Sequence, residues 1–274
     1  MENQWSKVRQ LQDTCEAADS IVLKLNWDML REPHRYNQDF FYEEEDELVG
    51  FVGLYEFGNK VELCGMVHPE WRRKGIFTRL MQKALVEVEK KQYKTVLFNA
   101  PASSSSGKAL LASMPCTYEM TEYQMRCLPS SNLKTLPTNE QISLRVANDQ
   151  DRPFEITLDV TCFGYSEEEA QQMNQRIHKE VHQSFWIIEN QNCPVGKVRL
   201  SKAEGDLWIY GLAVAPDKQG KGIGRATLSA LINMHSKEPL FLDVEASNRH
   251  ALKLYEACGF ETFQAQDYYR WNGK

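Results

Sequence analysis

The sequence has 274 residues, 42% hydrophobic and 26% charged, enough for a sizeable core and, by ordinary domain size, for about two domains. A formal net charge of −6 argues against a protein held on nucleic acid by phosphate contacts, and no apolar run approaches the roughly 20 residues that span a bilayer. Seven scattered cysteines, odd in number and with no CxxC pair, read as reduced thiols rather than a disulfide framework or zinc site, and the opening MENQWSKVRQ has no apolar leader core; a cytoplasmic location is expected.

In chain order, residues 1–39 read as mostly helical. Within them 21–30 carries both an alternating and a three-to-four spacing and is taken as helix. Residues 40–45, 48–56 and 61–67 read as strands, with the acidic run 43–47 as a solvated hairpin tip; attraction of a cationic acceptor is its functional alternative. A helix follows over 72–92, then a strand at 95–99. The serine-rich stretch 102–108 fails the P-loop pattern and reads as a capped helix entry, before a strand at 118–127. Two prolines and polar filler over 128–141 are a linker composition, and the linker is placed at 131–141. Beyond it come a strand at 142–146, a helix from Asn148 and Asp149 through Val160, and a helix over 167–182 opened by a Ser166/Glu169 capping box. His178 and His182, four apart on that helix, read as solvated rather than as metal ligands. Strands at 184–189, 195–202 and 207–214 lead into a glycine-rich turn and a helix over 226–234. A strand at 239–244, a helix after Asn248, a break at Gly259 and a final hairpin complete the chain.

An internal repeat is superimposed on this order. Residues 67–81 align without gaps on 214–228, an offset of 147, and the strand trio before each copy repeats as well. Two copies this long mean two domains of one fold: 1–130, the linker 131–141, and 142–274. In the second copy a strand feeds Gln219-Gly220-Lys221-Gly222-Ile223-Gly224-Arg225 and then a helix. The first N–H groups of a helix have no internal partner, its dipole favours an anion there, and glycines let the backbone come close. The dinucleotide fingerprint does not fit, because the third glycine is one residue short.

What fits is Q-x-x-G-x-G after a strand ending V-x-P. It resembles the acetyl-CoA-binding motif of the GNAT (Gcn5-related N-acetyltransferase) family, and N-x-x-A-x-x-L-Y-x-x-x-G-F from Asn248 to Phe260 resembles the family's closing motif. The resemblance implies an α/β (α+β) fold of two tandem GNAT-like domains, each a mixed, mostly antiparallel sheet flanked by helices. It implies that Leu212, Ala213 and Val214 pair with the pantetheine arm, that Gln219, Gly220, Lys221, Gly222, Ile223, Gly224 and Arg225 hold the pyrophosphate, that Asn248 reaches the pantetheine, and that Tyr255 protonates the departing thiolate. Acetyl-CoA would be the co-substrate and the amine of a small molecule or peptide the acceptor. No metal, nucleic acid or membrane is called for, and a homodimer is left open.

A phenol within reach of a leaving thiolate is a sensible acid, and a strand N–H such as that of Val214 could steady the thioester oxygen. Glu204, Asp206, Tyr210 and Glu245 lie near the right strands, but none is readable as the general base. The first copy departs from the motif. Phe77 stands for Gly224, Arg72 for Gln219, and Leu111 for Tyr255, so the first domain is expected to be catalytically silent. A non-catalytic coenzyme A-binding, sensing or structural module is the alternative. An aminoacyl-tRNA-dependent transferase is disfavoured by the intact motif and the acidic charge balance.

Overall fold

The structure, a computed structural model, describes residues 2–32, 35–129, 141–203 and 205–273. The chain forms two compact units, residues 1–122 with 264–274, and residues 123–263. The linker expected over 131–141 lies outside the described residues except at Gln141.

The first unit opens with α1 (Glu2–Asp19) and α2 (Trp27–Leu30). A hairpin follows, β1 (Asp39–Glu44) and β2 (Glu47–Phe57), then β3 (Lys60–Val67), α3 (Ile76–Lys91), β4 (Thr95–Pro101), α4 (Ser105–Ala112) and β5 (Cys116–Cys127). The second unit contains β6 (Ile142–Val146), α5 (Arg152–Phe163), α6 (Glu167–Ile177), β7 (Gln183–Asn190), β8 (Cys193–Ala203), β9 (Asp206–Val214), α7 (Ile223–Met234), β10 (Leu240–Glu245) and α8 (Arg249–Ala257). The last strand is β11 (Glu261–Trp271).

In the first unit the strand order is β1-β2-β3-β4-β11-β5, and in the second β5-β10-β9-β8-β7-β6. β3 with β4 and β10 with β9 are parallel, and β1 with β2, β2 with β3, β4 with β11, β6 with β7, β7 with β8 and β8 with β9 are antiparallel. β2 is buried over eight successive residues, Leu48–Leu54 and Tyr55, because α1 covers one face and α3 the other. That double cover explains an unbroken apolar run where a one-sided strand would alternate. On α3, Ile76, Leu80, Ala84 and Val88 fall four apart and form its buried stripe.

Three expectations need correction. Residues 21–26 are extended, and only Trp27–Leu30 is helical. The alternating spacing was the informative one: Ile21, Leu23, Leu25 and Trp27 are all buried, and side chains of α1 take up backbone groups, Glu16 from the Leu23 N–H and Gln12 donating to the Leu23 carbonyl. The final hairpin does not exist. β11 is one strand, and its residues 264–271 belong to the first unit, where they run antiparallel to β4. Third, α6 stops at Ile177, and His178 is not a solvated helix residue. Its Nε2 lies 2.8 Å from Glu155 Oε2, and its ring stacks on Phe185 at 3.7 Å. His182 sits in the following turn at φ +63°.

The acidic run is the tip of the β1–β2 hairpin, turned by Glu45 and Asp46 at positive φ, with Lys7 bonded to Glu43 at 2.9 Å. Among the described residues no helix is long and apolar enough to cross a membrane, and no group of three or more His, Cys, Asp or Glu is placed to hold a metal ion.

Candidate active site of the second unit

The site begins where two parallel strands part. β9 and β10 are paired only over Leu207–Leu240, Trp208–Phe241 and Ile209–Leu242. Beyond Ile209 the ladder stops, as that of β3 and β4 does beyond Leu63, and β9 carries a bulge just past that point. The β8–β9 register jumps from Lys197–Ala213 to Arg199–Tyr210, so Gly211 and Leu212 together face Val198. Gly211 takes φ +57°, a left-handed conformation that glycine adopts with no Cβ penalty. An extra residue bends a strand, and here the bend falls where the β10 ladder has ended. Opposite them, Gly196 is obligatory: a Cβ there would lie 2.4 Å from the Ala213 carbonyl oxygen.

After Val214 a short 3-10 turn (Pro216–Lys218) leads to Gly220 at φ +74° and Gly222 at φ +77°. Gly222 is the N-cap of α7, and no side chain caps that helix start. The first helical N–H groups, from Ile223 on, therefore remain for an anion, in an exposed loop whose glycines face open space. Gly224 has a different reason. A Cβ on it would lie 3.1 Å from Leu254 Cδ2, so it lets α8 pack closely on α7.

The loop side chains are partly committed to the loop itself. Gln219 Nε2 donates to the Val214 carbonyl at 2.9 Å and Lys221 Nζ to the Asp217 carbonyl at 3.0 Å. Among the described residues Arg225 makes no side-chain hydrogen bond and is exposed. Leu212 and Val214 are half-buried, and Ala213 is buried.

Across the gap, Asn248 is the N-cap of α8, its Oδ1 accepting from the Ala251 N–H at 3.1 Å. This positional role was not foreseen. Tyr255 lies on the same helix, half-buried, 6.0 Å from the Phe260 ring. Its hydroxyl bonds to no described residue, and burial, with the nearby Cys258, pushes the phenol pKa up, so it keeps its proton at neutral pH. Of the residues weighed as a base, Glu204 lies outside the described residues. Asp206 is exposed at the start of β9, Tyr210 lies under the Arg199 guanidinium at 4.6 Å, and Glu245 accepts from Ser247.

The first unit repeats this frame in detail. Gly75 caps α3 at φ +77°, and Ser104 caps α4 by accepting from Gly107 as Asn248 does from Ala251. Cys15 donates to the Val67 carbonyl at 3.4 Å and Arg72 to the same oxygen at 3.1 Å; Cys162 and Gln219 do so at Val214. What differs is the opening. The β2–β3 ladder is unbroken, with buried Cys64 where Gly211 stands, so there is no bulge. The Phe77 ring lies over Gly65, 3.1 Å from where a Cβ would be. Asp19 bridges the loop and α4, 2.8 Å from Arg72 Nη1 and 3.4 Å from Ser106 Oγ. Leu111, 4% exposed, is a core residue. Leu111→Ala should therefore cost about 2–5 kcal/mol of stability by the usual cavity effect. Its acetyl-transfer kcat should stay within about threefold of the parent; a loss as large as that of Tyr255→Phe would give this unit a catalytic part.

A sequence model of the family described as "Acetyltransferase (GNAT) family" matches residues 5–105 and 145–260. The chain belongs to the GNAT family. Both matched regions carry the frame just described, and they differ at the bulge and at Phe77. This GNAT chain is 42% identical to the mycothiol acetyltransferase of Kocuria rhizophila over 65 residues, which is 23% of its own length but only 22% of that relative. To the mycothiol acetyltransferase of Thermobispora bispora it is 25% identical over 242 residues, 82% of this chain and 80% of the other. Among solved structures, a tandem GNAT protein from the clavulanic acid biosynthesis pathway superposes with a TM-score of 0.69 at 15% identity, over 99% of this chain and 97% of that one. That likeness is one of fold.

Proposed function

We propose that this protein transfers the acetyl group of acetyl-CoA to the amine of a small molecule or peptide, and that the second unit does the chemistry. The observation that carries the reading is the difference between the two copies: only the second combines a bulged strand, an uncapped glycine-rich helix start and a protonated phenol.

Each residue then has a task. The N–H groups from Gly220 to Arg225 bind the diphosphate, with Arg225 as the charged arm. Gln219 and Lys221 hold the loop in shape through the Val214 and Asp217 carbonyls. The backbone of Leu212, Ala213 and Val214 pairs with the pantetheine arm, which β10 has vacated. Asn248 fixes the start of α8 and offers its amide to the same arm. A neutral amine attacks the thioester carbon, the carbon–sulfur bond breaks, Tyr255 gives its proton to the leaving thiolate, and the proton that the nitrogen sheds passes to solvent, from which the phenol is restored.

The test is free-thiol release from acetyl-CoA in the presence of an amine panel containing amino sugars, alkylamines and peptides with free N-termini. The proposal expects amine-dependent thiol release with a matching acetylated product. Coenzyme A uptake with no acetylated product from any amine would favour the binding or sensing module instead.

A further inference from the structure

The second unit buries a group of charges that the first unit shows to be unnecessary for the fold. On α5, Glu155 and Asp159 are 2% and 3% exposed. On β8, Lys197 Nζ lies 2.6 Å from Asp159 Oδ1 and donates to the Glu155 carbonyl at 3.0 Å. Asn174 and His178 both reach Glu155 Oε2, at 2.7 and 2.8 Å.

The matched positions of the first unit are fixed by shared geometry. The thiols of Cys15 and Cys162 bond to equivalent carbonyls, which places Val8 where Glu155 stands and Gln12 where Asp159 stands. His68 N–H donates to the Val49 carbonyl as Ala215 N–H does to that of Val195, which places Phe51 where Lys197 stands. Val8 and Phe51 are wholly buried core residues, and both ends of the Gln12 amide are bonded, to Trp27 and Glu16. The same frame thus closes well over an apolar core. Buried ions in place of such a core bring little or no stability.

Two further facts say what the ions are for. Asp159 Oδ2 is buried with no hydrogen-bond partner, a costly state that a donor from outside would relieve. The cluster also adjoins the groove: Lys197 pairs across the ladder with Ala213, and Cys162, three residues along α5 from Asp159, bonds to the Val214 carbonyl. From this we infer that Glu155, Asp159 and Lys197 form the acceptor-recognition site, and that it takes an amine as its ammonium on Asp159. The inference rests on the acetyl-transfer reading and narrows the acceptor to an alkylamine that binds as a cation and gives up a proton to solvent before its nitrogen attacks the thioester.

Lys197 is the member that meets solvent, with 13% of its side chain exposed. When its ammonium withdraws, an incoming ammonium takes its place on the carboxylate, one cation exchanged for another, so no buried charge is left uncompensated. Arg199 remains near Asp159 as a second cation, and Glu155 stays bonded to Asn174 and His178.

The experiment uses the full chain and the same amine panel. Asp159→Asn keeps the shape and removes the charge; acceptor KM should rise at least about tenfold, with coenzyme A affinity unchanged and kcat moved far less. The double variant Asp159→Leu/Lys197→Met replaces the ion pair with apolar side chains of similar size. It should melt at or above the parent temperature and still lose acetylation of alkylamines. A parental acceptor KM in either variant would overturn the inference, as would a wild-type protein that takes up coenzyme A and acetylates none of the alkylamines. Failure of the wild type to take up coenzyme A would defeat the acetyl-transfer reading itself, a distinct result.

Discussion

Tyr255→Phe is expected to lower kcat by about 10²–10³-fold, the usual worth of a placed general acid, while the dissociation constant for coenzyme A stays the same. The argument is local. The ring is anchored by the packing of α8 on the core and by Phe260, which a phenylalanine keeps. Its hydroxyl has no bond to a described residue, so removing it breaks nothing in the fold. The only thing lost is a proton donor whose pKa burial has raised. Steady-state kinetics with calorimetry for coenzyme A separates this from a binding defect. Equal rates for the variant and the parent across pH would take Tyr255 out of the mechanism.

Gly222→Val should abolish measurable acetyl-CoA binding. The residue sits at φ +77°, where a β-branched side chain costs on the order of 1–3 kcal/mol, and the loop would relax by turning the first N–H groups of α7 off their common direction. Those N–H groups are the proposed anion donors, so the strain falls where the diphosphate would bind. The first unit supplies the control. Gly75 has the same φ of +77° and the same place before its helix, so Gly75→Val carries similar strain. It should lower the melting temperature comparably and leave coenzyme A binding intact.

Much of this was legible in the chain. The paired motifs, their 147-residue offset and the loss of glycine and tyrosine in the first copy are all local in sequence, and local patterns read well. Phe77 over Gly65 gives that loss its physical content, a ring lying on the strand that would border a cofactor. Other features were hidden because they depend on register. The bulge at Gly211 is a single glycine inside an apolar run, and only cross-strand pairing shows that two residues face one. Glu155, Asp159 and Lys197 look like ordinary polar positions of amphipathic elements until burial is known. A signal for them existed: Cys15 and Cys162 share the 147 offset, and extending the repeat upstream from there would have set Val8 against Glu155 and Gln12 against Asp159. The misread end of the chain has a similar cause. Nothing within 261–271 says that its partner, β4, lies more than 150 residues earlier. His178 misled because a helix histidine usually faces water, and its partner Glu155 comes from a different helix.

The central claim is that one of two frames built on the same hydrogen bonds and caps holds coenzyme A. Calorimetric titration of coenzyme A into the wild type, Gly222→Val and Gly75→Val tests it most directly. The account predicts about one site per chain in the wild type and in Gly75→Val, and none in Gly222→Val. Retained binding in Gly222→Val, or its loss in Gly75→Val alone, would contradict it.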